Sequence, residues 1–145
     1  RLHGKTAYVV AGLFEYVLGS FPRYTATIGD QQHTVGSILV ANGKYFAGRV
    51  VWAPNADTGK SCFEIGLFTN VNRRSLPIYV LAMAFGFLPK LKGFNLVNSK
   101  EIILEGPVGH PVQADGDIVA KLPVCISIAK KTASFFAVAK HSNAF

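Results

Sequence analysis

Apolar positions along this chain fall into short runs separated by clusters of turn residues. Val10, Leu13, Phe14, Val17 and Leu18 recur at helical spacing and give one apolar face, with Gly19 as a stop. From Tyr24 onward the pattern is that of strands. Tyr24-Thr25-Ala26-Thr27-Ile28 is rich in strand formers and ends at Gly29-Asp30. A second strand is expected over His33 to Ala41, with Val35, Ile38, Leu39 and Val40 as core candidates, and Asn42-Gly43 turns the chain after it. Arg49 to Trp52 extends the chain again, Pro54 to Gly59 is dense in turn residues, and Phe63 to Phe68 alternates large residues with small or polar ones.

Ser75-Leu76-Pro77 reads as a helix start, with Ser75 as N-cap and proline in the first turn. Ile78 to Leu88 is apolar nearly all round, and Pro89 is expected to end it. Lys100 to Glu105 and Leu122 to Ile128 are two more runs of strand length. Asp115-Gly116 between them is a hairpin signal, because glycine accepts positive φ and aspartate tolerates it. Phe135 to Val138 offers a last strand. Many short strands with about two helices predict one mainly β domain over residues 1–145, an antiparallel sandwich or barrel.

Composition changes this picture in one respect. Half of the 145 residues are hydrophobic, and the mean hydropathy is +0.30. Such a chain suits a domain that buries one face against something else, another domain or a membrane surface. It opens at Arg1 rather than at a methionine, as a piece of a longer or processed chain would. No run approaches the ~18 apolar residues of a membrane span, so a cytoplasmic protein is expected.

Fifteen Lys and Arg against eight Asp and Glu give a formal charge of +7. That charge attracts phosphates, on nucleotide or on anionic lipid. The basic residues come in small pairs, Arg73-Arg74, Lys90 with Lys92 and Lys130-Lys131, rather than in one stripe with interleaved aromatics. A nucleic-acid-binding fold is therefore disfavoured. Cys62 and Cys125 sit in apolar contexts without metal spacing and read as buried thiols of a reducing compartment. His33, His110 and His141 lack a carboxylate or cysteine at ligand spacing and read as surface or turn residues. Asp57 and Glu64 could form a carboxylate pair, but strand alternation separates their environments and neither belongs to a motif, so they read as solvated charges.

Three motifs in order carry a resemblance. They are Asn42-Gly43-Lys44-Tyr45-Phe46-Ala47-Gly48, then Ala53-Pro54-Asn55-Ala56, then Val112-Gln113-Ala114-Asp115-Gly116-Asp117. In this order and spacing the chain resembles, from about Lys5 to about Val138, the C-terminal domain of diacylglycerol kinase-like lipid kinases. Bacterial lipid kinases and sphingosine kinases belong to that group, and NAD kinases are more distant. The resemblance implies a β-sandwich that works beside an N-terminal nucleotide-binding domain carrying a Gly-Gly-Asp-Gly-Thr motif. No such motif occurs in this chain, nor a phosphate loop of the G-x-x-x-x-G-K-[ST] type. The expected protein is thus the C-terminal part of a two-domain, ATP-dependent lipid kinase, with Mg²⁺ carried by ATP, inactive alone.

Carried across, Asp115 and Gly116 would border the nucleotide, and Asp117 would stand where the family has the glutamate that takes the proton of the lipid hydroxyl. Aspartate can accept that proton, with a carboxylate one methylene shorter. After Ala-Pro-x-Ala the family shows an Asp-Gly that helps to hold a structural Mg²⁺. Lys60-Ser61 stands there instead, and no structural metal is expected, because a hard cation needs oxygen ligands. Arg49 replaces a usual glycine. The run Leu76 to Leu88, flanked by Arg73, Arg74, Lys90 and Lys92, reads as a helix covering the sandwich, or as one meeting the membrane that holds a lipid substrate. An oligomer is compatible with all of this. The alternative is a non-catalytic sandwich, a binding or regulatory module whose basic pairs form a contact surface.

Overall fold

Strand periodicity and turn glycines generate two larger antiparallel sheets and two separate two-stranded hairpins in the computed structural model, which describes residues 20–46 and 50–129. Strand β1 (Tyr24–Ile28) pairs with β2 (Gln31–Val35) across the Gly29-Asp30 turn, where Gly29 takes φ +57°. The expected strand from His33 to Ala41 is in fact two, because the chain changes sheets at Gly36 and continues as β3 (Ser37–Ala41). The Gly36 N–H bonds to the Phe68 carbonyl at 2.7 Å, and a Cβ on Gly36 would lie 2.8 Å from that of Val71. Only glycine fits this corner.

Strands β4 (Tyr45–Phe46) and β5 (Val50–Val51) form a short hairpin, followed by β6 (Phe63–Phe68). Strand β6 is central in the sheet β3-β6-β7, where β7 is Phe94–Ser99. After the single residue Lys100 the chain crosses to the other sheet as β8 (Glu101–Glu105). Strands β9 (Pro111–Ala114) and β10 (Asp117–Lys121) form a separate hairpin, and β11 (Val124–Ser127) completes the sheet β11-β8-β1-β2. This is the expected mainly β, sandwich-like architecture. The hairpin around Asp115-Gly116 joins other strands than expected. The runs flanking it, β8 and β11, pair with each other in register Leu104 with Val124, and the β9-β10 hairpin is an excursion between them.

Two cores share β6. Its inward residues Ile65 and Leu67 pack with Ala26, Val35, Ile102, Leu104 and Leu122 between the sheets. Full burial of each Val, Leu or Ile side chain among them contributes about 1.5–3 kcal/mol. On the opposite face Phe68 joins Trp52, Tyr79, Ala82, Leu88 and Phe94. Gly66 makes that second face possible, because a Cβ there would come within 2.9 Å of both Trp52 and Phe94.

Helix α1 (Ser75–Ala84) covers this second face with Tyr79 and Ala82. Its cap is Asn72 rather than Ser75: the Asn72 Oδ1 accepts the N–H groups of Arg74 and Ser75 at 2.9 and 3.0 Å. The Ser75 hydroxyl instead donates to the Asn70 carbonyl at 2.6 Å. The helix also stops before Pro89. Gly86 at φ +76° sends its N–H to Met83 and that of Phe87 to Ala82, a left-handed ending that turns the chain into a 3-10 turn at Leu88–Lys90. Tyr79 fixes the helix to the sheet by donating to the Gly93 carbonyl at 3.3 Å.

The expected opening helix over Val10 to Leu18, the last strand over Phe135 to Val138 and His141 lie outside the described residues. Among those described, no helix is long and apolar enough to cross a membrane. The thiols are less buried than expected. Cys125 is exposed and Cys62 half-buried, since strand alternation turns Cys125 outward while Val124 and Ile126 face the core.

Gly66→Ala should lower the unfolding free energy by about 1–3 kcal/mol, the cost of forcing a methyl group into a filled core. Urea unfolding followed by Trp52 fluorescence reads it, and Gly66→Val should be worse.

Candidate functional site

The site is organised by a buried carboxylate. Trp52, Ala53 and Ala56 are buried feet that root the loop after β5 in the second core. Between them Asn55 is held by Glu64 of β6, which is 2 % exposed and is the one buried charged residue among those described. The Asn55 backbone N–H donates to Glu64 Oε2 at 2.9 Å and its Nδ2 donates to Oε1 at 3.2 Å. Glu64 is therefore not the solvated charge expected from the sequence. It shares a strand face with Gly66 and Phe68, and that face is covered. The signal lay in the alternation itself, which puts Glu64 beside a glycine on the side opposite Ile65 and Leu67.

The other side of the same loop carries a cation. Lys60 Nζ donates to the Asn55 carbonyl at 3.0 Å. One residue thus gives its N–H groups to a carboxylate and its carbonyl to an ammonium. Asp57 stiffens the intervening turn, accepting the Gly59 N–H on Oδ1 at 2.9 Å, while its carbonyl accepts the Lys60 N–H.

An open cavity of about 610 Å³ lies against this loop. Gly43, Lys44 and Tyr45 form one wall, and residues from Pro54 to Thr58 with Lys60 form the other. Two motifs singled out in the sequence, the Asn42-Gly43 turn and Ala53-Pro54-Asn55-Ala56, thereby meet on one cavity. Two lysines and one aspartate among its walls suit a ligand that carries phosphate or several oxygens. Lys44 and Lys60 are isolated in the sequence and carry no spacing signal there that marks them as binding residues.

A structural Mg²⁺ at this loop does not fit the residues present. A cation there would have to share the Asn55 carbonyl with the Lys60 ammonium, and Lys60 and Ser61 bring no carboxylate to the loop.

The Asp115-Gly116-Asp117 segment is elsewhere. Asp115 and Gly116 are the two turn residues of the β9-β10 hairpin, with φ +51° and +103°, as a type I′ turn requires. Asp117 opens β10, and all three residues are exposed. Gln113 Nε2 donates to the Gly116 carbonyl at 3.1 Å and firms the turn. Asp117 lines neither the cavity above nor a second one beside Phe21, Asn72, Arg73 and Arg74. At the hairpin's root Leu122 donates its N–H to the His110 carbonyl at 2.9 Å and accepts the Gly109 N–H at 3.1 Å, and the Tyr24 hydroxyl lies in hydrogen bond 3.2 Å from His110 Nδ1. His110 is thus a packing residue of the hairpin base, and His33 sits half-buried on the edge strand β2.

Comparison with known proteins agrees with this fold. The model of one family, the YegS C-terminal NAD kinase beta sandwich-like domain, matches residues 1–136. A diacylglycerol kinase structure from Bacillus anthracis strain Sterne superposes with a TM-score of 0.60 at 18% identity, over 81% of this chain and 40% of that one. Two further structures from that strain, of a protein provisionally assigned as a diacylglycerol kinase, give TM-scores of 0.58 and 0.60 at 19% and 17% identity, over 72% and 78% of this chain. At such identities the likeness is one of fold. The chain spans 35% and 39% of those two structures, well under half of each. No curated protein matches the sequence.

Two outcomes test the local physics. Asn55→Ala should cost about 1–3 kcal/mol in urea unfolding, because it strips a hydrogen bond from a buried carboxylate. Asn55→Asp should cost more at neutral pH and recover part of the loss in acid, since it sets a second carboxylate against Glu64. The second outcome concerns alkaline pH. Burial pushes the phenols of Tyr24 and Tyr79 above their usual value of 10.0. Unfolded phenols therefore ionise first, so this contribution is complete below about pH 10 and is lost as pH rises through the folded values. Thermal melts should show a fall in Tm above that pH, and Tyr24→Phe should make it shallower.

Proposed function

This chain belongs to the YegS C-terminal NAD kinase beta sandwich-like family, and from that premise we propose that it is the C-terminal domain of an ATP-dependent lipid kinase. The parent protein transfers the γ-phosphoryl group of ATP to a lipid hydroxyl, in the manner of a diacylglycerol kinase. The observation that carries the reading is the meeting of the Gly43–Tyr45 turn and the Pro54–Lys60 loop on one open, lysine-bearing cavity. These are two of the three motifs by which the sequence resembles such kinases, and the sandwich brings them together from either side of the β4-β5 hairpin.

In this reading the third motif acts at the boundary with an N-terminal nucleotide-binding domain. The β9-β10 hairpin presents Asp115 and Gly116 toward the nucleotide, and exposed Ile118 and Val119 on β10 are apolar surface for the partner domain. ATP with Mg²⁺ supplies the phosphoryl group. The residues of this chain do the rest: the Asp117 carboxylate takes the proton of the attacking lipid hydroxyl as the oxygen–phosphorus bond forms and ADP leaves. Lys44 and Lys60 favour negative charge on the ligand in the cavity. The work is cytoplasmic, at the membrane surface where the lipid resides, and the isolated 145 residues are inactive because the phosphate cradle belongs to the other domain.

Asp117→Asn in the intact parent should lower kcat by roughly 10²–10⁴-fold, the usual scale for a general base. Circular dichroism and Tm should hardly change, since this carboxylate is exposed. Asp117→Glu should keep activity. The assay is phosphorylated lipid formed from ATP, Mg²⁺ and diacylglycerol. Near-normal kcat in folded Asp117→Asn removes the base from Asp117 and leaves a turn residue. A wild-type parent that phosphorylates no lipid alcohol favours instead the non-catalytic module with a basic contact surface.

A further inference from the structure

Helix α1 meets two opposite environments. Tyr79 and Ala82 are buried against the three-stranded sheet, with Met83 packed beside them. On the other side Ile78, Val80 and Leu81 are 55, 59 and 57 % exposed, and beyond the helix end Phe85 and Phe87 are 70 and 46 % exposed. The Phe85 and Phe87 rings stack on one another, 6.0 Å between centroids. Arg74, Ile78, Leu81 and Phe85 follow one another at i, i+4, i+7 and i+11, so they form one line along the outer face. Scattered exposed apolar residues are ordinary on any protein. Five of them gathered on one helix and its C-terminal turn, without a polar residue among them, are not.

Charge chooses the occupant of this face. From Ile65 to Lys100 the chain has no acidic residue, while Arg73, Arg74, Lys90, Lys92 and Lys100 fall in the same interval. Arg74 stands at the N-terminal end of the outer line, and Lys90 and Lys92 stand beyond its C-terminal end; all three are exposed, with half-buried Leu91 between the two lysines. A second copy of the chain is a poorer occupant. It would have to bring another cluster of cations against this one, and one face of a 10-residue helix, about 15 Å long and about 10 Å across, is far smaller than the roughly 800 Å² per partner of a stable interface.

We propose that this face of helix α1 docks on an anionic lipid surface. The helix lies in the plane of the interface, with Leu81 and Phe85 in the boundary between headgroups and acyl chains, and with Arg74, Lys90 and Lys92 on lipid phosphates. Tyr79 and Ala82 hold the helix to the sandwich, so docking orients the whole domain. The inference rests on exposure and charge, not on phosphoryl transfer, and stands or falls apart from the proposed reaction.

Cosedimentation of the full chain with vesicles tests it. Wild type should pellet with an equal mixture of phosphatidylcholine and phosphatidylglycerol and remain in solution with phosphatidylcholine alone. Leu81→Ser combined with Phe85→Ser should weaken binding about tenfold or more while circular dichroism and Tm hold. Lys90→Glu with Lys92→Glu should weaken it by roughly fivefold or more for each basic residue lost, and added salt should weaken the wild type. Four results overturn the proposal. One is folded wild type that ignores the anionic vesicles. Another is undiminished binding by the Leu81 and Phe85 variant, which makes the contact one of charge alone. A third is a wild-type dimer in light scattering that this variant turns into a monomer, which gives the face to a second copy. The last is a large fall in Tm for the same variant, which means that the face is covered within the chain.

Discussion

Strand β6 has to satisfy two cores at once, and most of the architecture follows from that constraint. A strand buried on one face may put any polar residue on the other, but β6 has Ile65 and Leu67 in the inter-sheet core and Gly66 and Phe68 under Trp52, Phe94 and helix α1. Its one ionisable residue, Glu64, is therefore buried too. A buried carboxylate is costly unless it is hydrogen-bonded, and the loop after β5 supplies both bonds from Asn55. The requirement of a strand thus fixes the shape of a loop, and the loop is a wall of the cavity.

The same chain of causes explains why Lys60 is compatible with this loop. Once Asn55 has turned its N–H groups toward Glu64, its carbonyl faces the opposite way, and a positive group there completes the peptide's polarity. An ammonium on a flexible stem does this without the several oxygen ligands that Mg²⁺ demands. Lys60-Ser61 closes this stretch, and the loop is knitted by the Asp57 turn and the Lys60 contact.

Much of the fold was legible in the sequence because it is local. Tyr24 to Ile28, Phe63 to Phe68 and the helix start near Ser75 follow from strand and helix periodicities, and the Asp115-Gly116 turn follows from what those two residues tolerate. The departures come from long-range packing. Gly36 looked like an interior residue of one strand, but a neighbour 35 positions on, Val71, makes it the corner between sheets. Glu64 looked solvated because nothing local says that its face is covered. The helix end at Gly86 was visible as a glycine, and Pro89 drew attention away from it. Of the candidate site, the motif order was legible, and the meeting of the first two motifs on one cavity was not, since it depends on the β4-β5 hairpin folding one against the other.

The central proposal is that the cavity loops and the exposed Asp115-Gly116-Asp117 turn serve one nucleotide-handling site in a two-domain lipid kinase. Hydrogen–deuterium exchange of the intact parent, with and without Mg²⁺ and ATP, tests it most directly. Added nucleotide should slow exchange at Asp115 to Asp117 and at Gly43 to Tyr45 and Asn55 to Lys60, while β1, β6 and β8 stay as they were. Unchanged exchange in all of these segments, in a parent shown to bind ATP, would contradict the account.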